Sequence, residues 1–111
     1  MRSATFNVFG LATRRSEVGR YAEFLKAPSL HAGLYELGAG AVDRQQPHDD
    51  DEIYYVISGR ASFEVEGELR PVQPGDVIYV AAGEPHCFKD IDEDLRLLVV
   101  FGPPAARPHP D

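Results

Sequence analysis

The chain has 111 residues, 43% of them hydrophobic, and its 18 acidic against 11 basic side chains leave a formal net charge of -7. That length supports one domain with a single core and leaves no room for separate cofactor and substrate domains. The acidic balance argues against a nucleic acid partner, which would need a surplus of Lys and Arg, and the longest apolar run, Leu97 to Phe101, is far shorter than the roughly 20 residues of a membrane span.

In chain order, residues 1–28 read as an N-terminal arm with a short helix. Phe6, Val8 and Leu11 suit an arm or an edge strand. Ser16 suits an N-cap, and Val18, Tyr21, Phe24 and Leu25 fall on one face at helical spacing until Pro28 stops the run. Residues 29–102 then alternate short strand-like runs with turn residues: Leu30 to Leu37, Ile53 to Ser58, Ala61 to Glu66, Glu68 to Val72, Asp76 to Val80, His86 to Lys89 and Leu95 to Phe101. Ser58-Gly59 and Glu66-Gly67 read as turns between them. With no long helical period in the series, the expected fold is all-β, an antiparallel barrel rather than βαβ units. The tail, 103–111, is proline-rich and reads as an extended surface segment in which His109 has no role. One cysteine, Cys87, and no signal-peptide pattern make a cytoplasmic location the expectation. Cys87 itself reads as a small buried hydrophobe.

The chemistry gathers at Gln46, His48 and Glu52, which share strand parity; Pro47 favours an extended Gln46. His86, roughly forty residues on, would complete the set from a neighbouring strand. Two imidazoles and a carboxylate leave open positions on one divalent metal ion, and iron, manganese, nickel and zinc all suit such donors, with the Gln46 carbonyl as a fourth ligand. The alternative is a metal-free hydrogen-bonded network, but an interior carboxylate without a cation carries a desolvation cost. Tyr54 and Val56 share the parity of Glu52 and, with Phe88, are expected to line the pocket; His31 and Tyr35 share one face of the first strand. Asp49, Asp50 and Asp51 read as a solvated acidic loop, and Asp90 as a surface turn or a hydrogen-bonding support for a ligand. Ile53, Tyr55 and Ile57 face the other way, an apolar set that predicts a second sheet or a homodimer contact. Gly-rich phosphate loops and Gly-X-Ser-X-Gly elbows are missing.

Two spacings carry a family resemblance. Gly40, Gln46, His48, Glu52 and Gly59 fit one motif, with Gln46 where a first His would stand. Gly75, Gly83 and His86 fit a second, with Ala81 in place of a proline and Asp90 in place of an asparagine. The region from Gly40 to Asp90 thereby resembles the cupin superfamily. The resemblance implies a small antiparallel β-barrel, or double-stranded β-helix (jelly roll), with His48, Glu52 and His86 as metal ligands and Gln46 as a fourth. A Gln-X-His pair also binds zinc in the similar barrel of type I phosphomannose isomerases. The function so implied is a metal-dependent enzyme acting on a small oxygen-bearing molecule, with Glu52 or Tyr54 moving a proton. It would be a dioxygenase if the ion is iron, and an isomerase, cyclase or lyase if it is zinc, manganese or nickel. The alternative is a non-catalytic small-ligand-binding or sensor cupin.

Overall fold

The computed structural model describes residues 3–11, 14–15, 20–43 and 49–103. Seven strands lie among them: β1 (Arg14–Arg15), β2 (Arg20–Lys26), β3 (His31–Leu37), β4 (Asp51–Val65), β5 (Glu68–Val72), β6 (Val77–Val80) and β7 (His86–Gly102). Every pairing is antiparallel, in the order β1-β2-β3-β7-β4-β5 with β6 alongside β4. No helix among the described residues is long and apolar enough to cross a membrane.

Two long strands organise the fold. On a straight strand Tyr54 and Phe63 would stand roughly 30 Å apart, yet their rings are 6.1 Å apart between centroids, so β4 must fold sharply between them. The bend falls at Gly59, with a φ of 97° and with a backbone so close to that of Asp94 that a Cβ there would collide. Only glycine meets both conditions. β7 bends alongside, with register shifts against β4 from Val56 to Ser62 and Asp90 at a φ of 50°. The turns expected at Ser58-Gly59 and at Asp90 are therefore bends within continuous strands. Each bend also reverses the inward parity: Tyr54 and Val56 give way to Ala61 and Phe63, and His86 and Phe88 to Ile91, Leu95, Leu97 and Val99. These inward side chains other than His86, with Leu37, Val72 and Val80, form the jelly-roll core.

The helix expected through Tyr21, Phe24 and Leu25 is replaced by β2, while Ser16 and Val18 lie outside the described residues. Glu23 pairs with Gly33 and Leu25 with Ala32, which leaves Phe24 as the extra residue of a β-bulge. The adjacent apolar pair that mimics a helical face marks that bulge. Hydrogen bonding to the edge of β3 overrides a weak helical preference that Gly19 already reduces. Ahead of it, a 3-10 turn at Val8–Gly10 is capped by Asn7, whose Oδ1 accepts from Phe9 N at 2.9 Å. The arm is tied to the barrel where Arg96 donates to the Val8 carbonyl at 2.8 Å and Phe6 packs on Phe24.

The outward face carries two cross-strand rows, Ala32-Val100-Ile53-Tyr79 and Leu34-Leu98-Tyr55-Val77. Ala32 and Leu34 are buried, whereas Ile53, Tyr55, Val77 and Tyr79 are 41–63% exposed.

Candidate functional site

The first half of β4 and the start of β7 bring two of the expected ligands together. Glu52 Oε1 lies 2.8 Å from His86 Nε2, and the two side chains are 5% and 1% exposed. His86 is oriented from behind, its Nδ1 lying 2.8 Å from the Glu84 carbonyl. A carbonyl only accepts, so Nδ1 carries a proton and Nε2 is the nitrogen turned towards Glu52. Tyr54 Oη stands 3.2 Å from the same Nε2. Burial disfavours the imidazolium, but the Glu52 contact, the bond to the Glu84 carbonyl and the charges of Glu52 and Asp43 outweigh it and raise the His86 pKa.

Beyond this ion-pair contact, the buried Glu52 Oε1 has no hydrogen-bond partner among the described residues. Two donor atoms converge, one on an imidazole anchored through its other nitrogen. That is how a histidine is held for a metal, and the pair fits two ligands of a divalent ion. Gln46 and His48 lie outside the described residues. Among the described residues no cluster of three or more His, Cys, Asp or Glu side chains suited to a metal is present.

Of the pair, Glu52 lines a cavity of about 340 Å³, together with Tyr21, Glu23, Tyr35, Asp50, Tyr54, Val99 and Phe101. Val56 and Phe88, expected in the pocket, are 0% and 1% exposed and belong to the core, Phe88 lying edge-on to Tyr54 at 5.1 Å. Tyr35 does line the cavity, whereas His31 backs its wall, stacked on Phe101 at 5.2 Å and 3.4 Å from Glu23. The acidic triplet divides: Asp49 is exposed, Asp50 lines the cavity, and Asp51 accepts from Ala82 N at 2.8 Å. Asp90 is exposed, and Cys87 lies against Glu64 with its thiol pKa raised by burial.

Sequence reasoning missed Asp43. This buried carboxylate accepts from Tyr35 Oη at 2.9 Å and from Phe88 N at 2.8 Å, joining β3 to β7 beneath the cavity. Its only signal was a lone acid in the apolar stretch from Gly38 to Asp43. Burial and Asp43 raise the Tyr35 pKa, and burial and Glu23 push that of Tyr21 up to about 12.

Residues 33–101 match the family model described as a cupin domain. The chain belongs to the cupin family. This cupin is 50% identical over 93 residues to an uncharacterized protein of Streptomyces coelicolor, covering 84% of this chain and 89% of that one. It is 32% identical over 74 residues to the dimethylsulfoniopropionate lyase DddQ of Ruegeria pomeroyi, covering 66% of this chain and only 37% of the lyase. Its fold is similar to that of KdgF from Halomonas sp., with a TM-score of 0.81 and 25% identity over 92% of this cupin and 94% of that chain.

Proposed function

We propose that this cupin is an enzyme that holds one divalent metal ion through His48, Glu52 and His86, with Gln46 as fourth ligand, and acts on a small oxygen-bearing molecule in the adjoining cavity. The observation that carries this reading is the convergence of His86 Nε2 on Glu52 Oε1, whose side chain lines the cavity, with Nδ1 anchored on Glu84. A bound ion of this kind supplies Lewis acidity, or oxygen activation if it is iron. Tyr54 Oη, beside His86, is the group placed to give or take a proton there. Val99 and Phe101 give the cavity apolar wall on the other side.

Among the chemistries open to such a site, a lyase reaction gains support from the similarity to a named lyase. Elimination needs a polarised oxygen, which a bound ion would supply, and a proton acceptor, a role Tyr54 would fill as the phenolate, once its own proton had been given up. The test is elemental analysis of protein purified without added metal, followed by turnover assays on the loaded protein. Stoichiometric metal with loss of turnover in Tyr54→Phe supports the reading. Metal-free protein that cannot be loaded overturns it.

A further inference from the structure

Among the described residues, the lining of the cavity is one-sided in its chemistry. Three carboxylates, Glu23, Asp50 and Glu52, and three phenol rings, Tyr21, Tyr35 and Tyr54, line it, and no Lys or Arg is among the described lining residues. The phenolic protons of Tyr21 and Tyr35 already have acceptors: Tyr21 donates to Glu23 at 3.4 Å and Tyr35 to Asp43 at 2.9 Å. Both oxygens therefore offer lone pairs. Burial and the neighbouring carboxylates also disfavour ionisation of these two phenols. Their rings meet edge to face, 6.4 Å apart at 66°, and form an aromatic corner beside Glu23. The corner depends on Gly33, since a Cβ there would lie 2.6 Å from Tyr21 Oη.

Aromatic faces, acceptor oxygens and carboxylates together favour a positively charged organic group and disfavour an anion. We propose that the Tyr21–Tyr35–Glu23 corner binds an organic ammonium group of the ligand, while Glu52 lines another polar part of the same cavity. The inference deepens the proposed function by naming a substrate class. It rests on that cavity, but ammonium binding at the corner does not require the metal.

The test uses the full chain and three probes: choline, its uncharged carbon isostere dimethylbutanol, and acetate. Binding is read by calorimetry and by tyrosine fluorescence, which no tryptophan masks. Choline is expected to bind about tenfold more tightly than the isostere. Glu23→Gln and Tyr21→Leu should each weaken choline several-fold, and Glu23→Gln should do so without weakening the isostere; if Tyr21→Leu fails to fold, Glu23→Gln alone decides. Equal affinities, a preference for acetate, or no choline binding overturns the inference. Metal content is measured on the same preparation. Metal without choline preference overturns this inference alone, and choline preference in protein that cannot take up metal supports it while overturning the proposed function.

Discussion

Glu52 Oε1 lies 2.8 Å from His86 Nε2 in a setting where neither side chain is more than 5% exposed. Removing one member of a buried pair leaves the other without compensation. His86→Ala is therefore expected to lower the stability of the metal-free protein by about 3 kcal/mol, read by urea denaturation. Metal retention should be abolished in His86→Ala and His48→Ala and reduced less in Gln46→Ala. Equal metal content in all three would place the site elsewhere.

Asp43 ties a side chain of β3 to the backbone of β7. Asp43→Ala strands the Phe88 N–H and the Tyr35 hydroxyl, and is expected to cost about 2 kcal/mol; Tyr35→Phe should cost about 1 kcal/mol. Because both remove the same bond, the double variant should cost less than the sum of the two. Strict additivity in chemical denaturation would refute the link.

The pocket phenols predict an alkaline limit. Tyr21 ionises near 12 in the folded chain rather than at its usual value near 10, and Tyr35 is raised in the same direction. The folded state favours the protonated phenol, so this contribution to stability is complete below pH 10 and is lost as pH rises through about 12. Phenolate absorbance should show these tyrosines ionising late, together with unfolding. Ionisation of every tyrosine near pH 10 in folded protein would contradict the prediction.

Exposed Ile53, Tyr55, Val77 and Tyr79 form one apolar patch on the outward face. We propose a homodimer through it. Sedimentation at micromolar concentration should give a dimer, and Ile53→Lys with Tyr79→Lys should give monomers that retain the fold by circular dichroism. A monomeric parent protein would sink the proposal.

Much of the site-bearing half of the fold was legible because its strands are half buried. Glu52, Tyr54 and Val56 alternate with Ile53, Tyr55 and Ile57, and that period sets which residues face inward. The limits were equally physical. Gly59 and the acidic run after Lys89 look like turns, yet the backbone continues through each as a bent strand. The bulge at Phe24 disguised β2, because an extra residue breaks the two-residue period on which strand recognition depends. Parity also overreached: Val56 and Phe88 face inward, but depth separates core from cavity, and depth is set by neighbouring strands. Asp43 was invisible for a related reason, since its burial depends on β7, forty-five positions away.

The bends in β4 and β7 make the two halves of the barrel mechanically inseparable. The strand that carries Glu52 and Tyr54 continues through Gly59 into the partner of β5, and the strand that opens with His86 ends beside β3. Local melting at one end must pull on hydrogen bonds at the other. Amide exchange at Tyr54 and Phe88 should therefore proceed through opening of the whole domain, so that a ligand gripping the cavity would also slow exchange in the second half of β4, the stretch furthest along that strand from Glu52.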